Sequence, residues 1–197
     1  MKKILVLFIL SFLFVANTNT CFAEKSFEDK KKEIVAVYNS NNTEEAYKMI
    51  SKMAEDERDY ELWYLLGNLS QDLNNDTNAA FFWQKAILMN PEFDKAHYNL
   101  ANVYLKEKRY NSAIREYKLA IKYKKDFAYY YYNLGCAYLG LKDYKEAKSS
   151  FEKAIRLKSN VADFYYNLAF ACKNLRDEKC MKTALENYEK YKDKEEI

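Results

Sequence analysis

The chain has one proline, three glycines and one histidine among its 197 residues. Proline breaks helices and glycine loosens them, so a chain poor in both can run from one long helix into the next. No Gly/Ser-rich linker divides it, and the glycine-rich loop that cradles phosphate is missing. With His97 alone and no paired-cysteine motif, the sequence offers no metal-ligand spacing. Serines and lysines are plentiful, but none stands in a nucleophile setting. The sequence therefore implies no catalytic residue, no cofactor and no metal. Formal net charge is only +3, which gives no electrostatic case for a nucleic-acid partner.

What the chain has in abundance is aromatic residues, 17% of the total with 19 tyrosines. That composition suits an all-helical protein and argues against sheet or disorder. The organising stretch is 60–93. It reads Trp63-x2-Leu66-Gly67, then Ala79-x3-Trp83-x2-Ala86, then Pro91. Translation by 34 residues carries Leu66 onto Leu100, Leu134 and Leu168, and Gly67 onto Ala101, Gly135 and Ala169. The bulky position reads Trp63, His97, Tyr131, Tyr165. Ala79 returns as Ala113 and Ala147, Trp83 as Tyr117 and Phe151, and Ala86 as Ala120 and Ala154. Trp63, Leu66, Gly67 and Ser70 share one helix face, as do Ala79, Trp83 and Ala86. Small residues mark where two helices cross closely, and the rings fill the space beside the crossing.

This ordering resembles the tetratricopeptide repeat, a 34-residue helix–turn–helix unit. The resemblance implies an all-α, right-handed α-solenoid of antiparallel helix pairs, in which each hairpin needs a neighbour to bury its faces. Units are expected at 60–93, 94–127 and 128–161, with a variant C-terminal unit at 162–197. A divergent hairpin at 24–59 caps the array. There Phe27, Lys31, Ile34 and Tyr38 make a partial stripe, and Thr43 is placed to cap a second helix carrying Ala46, Ile50 and Met53. In the last unit the second helix matches only if shifted by three residues. Ala184, Tyr188 and Tyr191 then fill its Ala–aromatic–Ala positions, after a longer turn around 176–179.

Residues 1–23 read as a secretory signal peptide: Lys2 and Lys3, an apolar run from Ile4 to Ala16, then Cys21-Phe22-Ala23. Cleavage after Ala23 is expected, which directs the protein to the periplasm or cell envelope. An uncleaved anchor is the rival, and the membrane would then be touched only through this segment. Lipidation of Cys21 is disfavoured, because Thr18-Asn19-Thr20 does not resemble a lipobox. Removing the segment leaves 30 basic against 29 acidic residues. Acids lead 11 to 7 from Glu24 to Glu61, and bases lead 15 to 7 from Asp94 to Lys158. The plain reading is solvated outer faces, and the sharper one an array that orients an acidic partner along its middle. Three cysteines then remain, an odd count. Cys172, in the position of Tyr104 and Tyr138, is either a buried thiol or the partner of Cys180 in an oxidising compartment.

The resemblance also implies a concave groove lined by the first helix of each unit. Its candidate peptide-binding residues are Tyr64, Asn68, Tyr98, Asn99, Asn102, Tyr132, Asn133, Tyr166 and Asn167. Tyrosine recurs once per unit as a ladder, and asparagine offers both donor and acceptor to a peptide backbone. Asn68 and Asn102 lie off the packing stripe, so replacing both with alanine is expected to weaken binding and leave melting unchanged. The family's carboxylate clamp is matched at Asn68 and Asn99. Its basic places fall on Tyr64, Tyr129 and Asn133, which carry no charge and disfavour a receptor for chaperone C-termini. The expected function is an exported, non-catalytic scaffold that binds a protein or extended peptide, plausible in cell-envelope assembly. The alternatives are a self-associating homo-oligomer and a helper domain for a peptidoglycan enzyme.

Overall fold

A computed structural model describes residues 25–194. The signal segment 1–23, Cys21 included, lies outside the described residues. Ten α-helices follow in order, with no strand among the described residues. They are α1 (Phe27–Asn39), α2 (Thr43–Ser51), α3 (Tyr60–Asp72), α4 (Asp76–Met89) and α5 (Asp94–Lys106). After them come α6 (Tyr110–Tyr123), α7 (Ala128–Gly140), α8 (Tyr144–Leu157), α9 (Ala162–Asn174) and α10 (Glu178–Tyr191). The helices pair in sequence as hairpins, and each hairpin's second helix packs on the next hairpin's first. The first helices α5, α7 and α9 also touch in succession, which bends the stack so that first helices line its inner side.

Every hairpin turns the same way. Helix α3 ends on Asn74 in the left-handed region (φ 59°), and Lys108, Lys142 and Arg176 repeat this at 34-residue intervals. The following N–H closes each turn on a carbonyl five residues back: Asn75 to Ser70 at 2.8 Å, Arg109 to Tyr104 at 2.8 Å, Asp143 to Tyr138 at 2.9 Å and Asp177 to Cys172 at 2.9 Å. This is the Schellman arrangement. Except at Arg109, the residue that closes one helix also caps the next. Asn75 accepts from the N–H of Asn78, Asp143 from Glu146 and Asp177 from Cys180, at 3.0, 3.2 and 3.0 Å. In the first hairpin the cap is Asn42, which accepts from Glu45 N–H at 3.4 Å, and Thr43 is already helical.

The last unit keeps the register, so the expected three-residue shift and longer turn are overturned. Helix α10 starts 34 residues after α8, with the same left-handed residue and the same cap. Tyr191 stacks on Tyr165 at 5.6 Å, as Tyr123 stacks on His97 at 5.9 Å two units earlier. Ala184 therefore occupies the place of Ser150. Met181, Leu185 and Tyr188 stand where Ala147, Phe151 and Ala154 are fully buried, and all three are at least partly exposed. The shifted alignment matched residue types, but the turn sets the register. Cys172 and Cys180 form a disulfide across this hairpin, with Cα atoms 5.8 Å apart.

Crossings within hairpins are as tight as the small residues imply. A Cβ added at Gly67 would fall on the Trp83 ring, and one at Gly135 would lie 2.6 Å from the Phe151 ring. The bulky position does a second job, latching the loop between units. His97 Nε2 lies 3.0 Å from the Pro91 carbonyl, while the Tyr131 and Tyr165 hydroxyls donate to Lys125 and Ser159 carbonyls at 3.1 and 2.8 Å. Each reaches back six residues. His97 Nδ1 meets Glu116 Oε2 at 2.8 Å, and both side chains are buried. The ring thus bridges the inter-unit loop and α6. Burial pushes the Glu116 carboxyl up, but hydrogen bonds from His97 and Arg115 outweigh it and hold it below the ordinary glutamate range.

Two predictions follow from this geometry. Lys142→Gly should stabilise the protein by about 0.5–1 kcal/mol, the left-handed penalty of a residue with a Cβ less the added chain entropy of glycine. Urea unfolding measures it, and an unchanged midpoint would show that Lys142 bears no such penalty. Because Glu116 is depressed in the folded state, its stabilisation is present above its unfolded value and is lost as pH falls through the folded one. Glu116→Gln should lower stability at neutral pH and flatten the loss seen below about pH 4.3, the ordinary glutamate value. An acid limb of the same steepness in the variant would place the titrating group elsewhere.

Candidate functional site

The nine groove residues sit on α3, α5, α7 and α9, and the structure joins eight of them into a repeating network across unit boundaries. Asn99 Nδ2 donates to the Tyr64 hydroxyl at 3.3 Å and to Asn68 Oδ1 at 3.2 Å. One unit on, Asn133 donates to Tyr98 and to Asn102 Oδ1, both at 3.0 Å. Asn167 donates to Tyr132 at 2.8 Å and points its second N–H towards Cys136 Sγ at 3.9 Å. Each asparagine thus spends both amide hydrogens on the unit before it.

The acceptors are tied to the second helices as well. Trp83 Nε1 donates to Asn68 Oδ1 at 3.2 Å, and the Tyr117 hydroxyl to Asn102 Oδ1 at 2.7 Å. Where the ring is Phe151, which has nothing to donate, the residue fifteen positions earlier is Cys136 instead of asparagine. Asn68 and Asn102 therefore each join three helices. The expectation that they are spare to the fold is overturned, since losing either leaves a nearly buried ring donor without its acceptor. Trp83 and Tyr117 enter the site as anchors that the helix-by-helix pattern missed.

The tyrosines are built in too. Burial raises the Tyr64, Tyr98 and Tyr132 hydroxyls above the ordinary phenol value, so all three stay neutral. Their rings pack on Phe93 at 4.9 Å, Tyr130 at 4.8 Å and Phe164 at 4.8 Å respectively. Tyr166 differs, being 54% exposed with the Tyr188 ring beside it at 5.5 Å. Burial also pushes the Cys136 thiol up to about 11, which keeps it protonated and unreactive.

Some recognition capacity remains. The Oδ1 atoms of Asn99, Asn133 and Asn167 accept no hydrogen bond, and none is among the buried polar atoms that lack a partner. All three side chains are half-buried, and the oxygen left without a partner in the fold recurs once per unit. Beside them Phe127 is 38% exposed, with Lys124 5.6 Å over its ring. Lys158 lies 5.1 Å over the Tyr129 ring and donates to its hydroxyl at 3.3 Å. The 34-residue spacing of Lys124 and Lys158 was the available sequence signal for this lip. Elsewhere, Cys172, Asp177 and Cys180 place ligand atoms within 4.8 Å of one another. Both sulfurs are spent on the disulfide and Asp177 on Lys148 and the α10 cap, so this cluster does not form a metal-ligand set.

Double-mutant analysis tests the network. Asn102→Cys alone should cost about 1–3 kcal/mol by orphaning the Tyr117 hydroxyl. Adding Tyr117→Phe recreates the Cys136–Phe151 pair and should recover most of that loss in thermal unfolding. Simple additivity of the two substitutions would refute the coupling.

Helical hairpins in a 34-residue register, stacked into a curved solenoid with a lined inner face, define an α-solenoid scaffold. Family comparison names the class. Models described as "Tetratricopeptide repeat" match residues 60–93 and 128–161, and 82–115, and one described as "TPR repeat" matches 101–142. Together they run unbroken over 60–161, more than half the chain, and the protein belongs to the tetratricopeptide repeat family. Two matched windows, 82–115 and 101–142, straddle the hairpins.

Among solved structures, the fold is similar to that of MamA. The MamA RS-1 ArsTM double mutant aligns with a TM-score of 0.78 at 21% identity, over 86% of this chain and 96% of that one. MamA 41-end from Desulfovibrio magneticus RS-1 gives 0.74 at 22% identity, over 87% and 97%. A further crystal structure of MamA gives 0.71 at 26% identity, over 79% and 94%. No curated protein sequence matches the chain.

Proposed function

We propose that this protein is an exported, non-catalytic scaffold that holds an extended segment of a partner protein in its concave groove. The observation that carries the reading is the row of Oδ1 acceptors on half-buried Asn99, Asn133 and Asn167, one per unit, that the hydrogen bonds between units leave unused. Backbone N–H groups of an extended chain are the donors that such a row suits, because they recur regardless of sequence. The half-buried tyrosine rings beside the row supply apolar area with fixed positions. Export is supported by the signal-like pattern of residues 1–23 and by the Cys172–Cys180 disulfide, a bond that persists in oxidising compartments. The same two features support a place in the cell envelope, where such a scaffold would serve assembly.

Photocrosslinking separates this reading from binding on the outer surface. A benzophenone side chain at Lys95 or Tyr129, near the starts of α5 and α7, should capture a partner segment from envelope extract. The same group at Arg115, on the exposed side of α6, should capture none. Capture at Arg115 alone would move the site to the basic outer face. Intact-mass measurement of the envelope protein should give a chain beginning at Glu24, and retention of Met1 would establish an anchor.

A further inference from the structure

The end of the stack does not look like an interior junction left open. In each interior unit the residue two turns into the first helix is polar or small, namely Asn68, Asn102 and Cys136, and it faces an asparagine of the next unit. In the last unit that place is held by Phe170, 47% exposed. Leu185, 41% exposed, stands where Trp83, Tyr117 and Phe151 are wholly buried. With Tyr166, Ala169, Lys173 and Met181 these two line a cleft of about 380 Å³ between α9 and α10. An asparagine-bearing first helix no longer finds its acceptor here, so the face has changed from one that takes a further unit to an apolar one.

We propose that this face is the contact of a two-fold dimer, with α10 of one copy packed antiparallel on α10 of a second copy. Charge placement argues for a second copy rather than a foreign helix. The outer face of α10 presents Glu178, Met181, Lys182, Leu185, Glu186 and Glu189 around a shallow depression. Lys182 and Glu189 lie two turns apart on either side of Leu185. In an antiparallel pair centred near Leu185, each Lys182 comes opposite the Glu189 of the other copy, a carboxylate that also holds Lys192 of its own chain, giving the reciprocal contacts that a two-fold axis requires. The apolar centre would be Leu185 and Met181, flanked by Phe170 and Tyr166, with the charges as its rim. The Cys172–Cys180 disulfide fixes α10 to α9, so the face is rigid before the copies meet. The groove over α3, α5 and α7 stays open in this arrangement, while its last unit, with Tyr166 and Phe170, is covered by the contact.

Light scattering coupled to gel filtration, on the disulfide-intact protein lacking the signal segment, tests the proposal. The wild type should elute with twice the chain mass, and Phe170→Glu combined with Leu185→Glu should halve it while leaving the helical circular dichroism unchanged. Lys182→Glu and Glu189→Lys should each weaken the dimer, because like charges then face one another across the axis. Mixing the two variants should restore it as a heterodimer, which a mere loss of folding cannot do. A monomeric wild type would overturn the proposal, as would a dimer that survives the double substitution, or a mixture that stays as weak as its components.

Discussion

The register of this solenoid hangs on one side-chain amide per unit. Asn99, Asn133 and Asn167 each place two N–H groups on two acceptors of the preceding unit at once. Burial of apolar surface drives the stacking, but it is non-directional and would tolerate a range of offsets between hairpins. A hydrogen bond weakens steeply with distance and angle. Two from one planar amide fix both the advance and the rotation of one first helix on the last. The aromatic ring of the second helix then locks the acceptor from behind, through Trp83 in the first clear unit and Tyr117 in the next.

That same economy shapes the groove. Polar atoms used to register the units are not available to a ligand, so in the proposed reading recognition falls to what the network leaves behind, three amide oxygens and the exposed parts of the rings. The polarity also changes along the inner face. At one position it runs Asn68, Asn102, Cys136, Phe170, from amide to thiol to hydrocarbon. Its partner on the second helix runs Trp83, Tyr117, Phe151, Leu185, losing its donor at the same step. In the proposed reading an extended chain lying along the groove would pass from amide acceptors to the thiol and towards the apolar last unit, which gives it a preferred direction without any charge being placed in the groove.

Much of this fold was legible because its determinants are local and repeated. Small and large residues at i, i+3, i+4 and i+7 mark a helix face, and four copies at one period leave little freedom in how the faces meet. The last unit was misread because residue type was weighed above the turn: Asp143 and Asp177, both caps and 34 apart, carry the register. The role of the asparagines was illegible for a different reason. Their partners lie 31 and 35 residues away, in another unit, while a stripe drawn on a single helix only separates inside from outside. A trace was nonetheless present, since asparagine appears fifteen residues before a ring with a donor and cysteine before the ring without one. For the disulfide, the eight-residue separation permitted the bond without requiring it, and the hairpin geometry brings the two residues together.

A stack of this kind draws its stability from nearest-neighbour interfaces, so its terminal hairpins have one interface where interior ones have two. Both ends carry compensation in bonds rather than in buried area. At the start, Lys31 pairs with Asp59 at 2.5 Å and with Glu61, and the Tyr38 hydroxyl donates to Asp72 at 3.2 Å, tying α1 to the first clear unit. At the finish, Lys148 pairs with Asp177 at 2.6 Å and the disulfide closes the last hairpin on itself. Exposed ion pairs contribute little individually, but these sit at points where fraying would begin. The covalent bond stands at the end with the more apolar open face. A hairpin that opened there would expose Phe164 and Leu168 as well as Phe170, so holding it shut keeps the inner face continuous to its last unit.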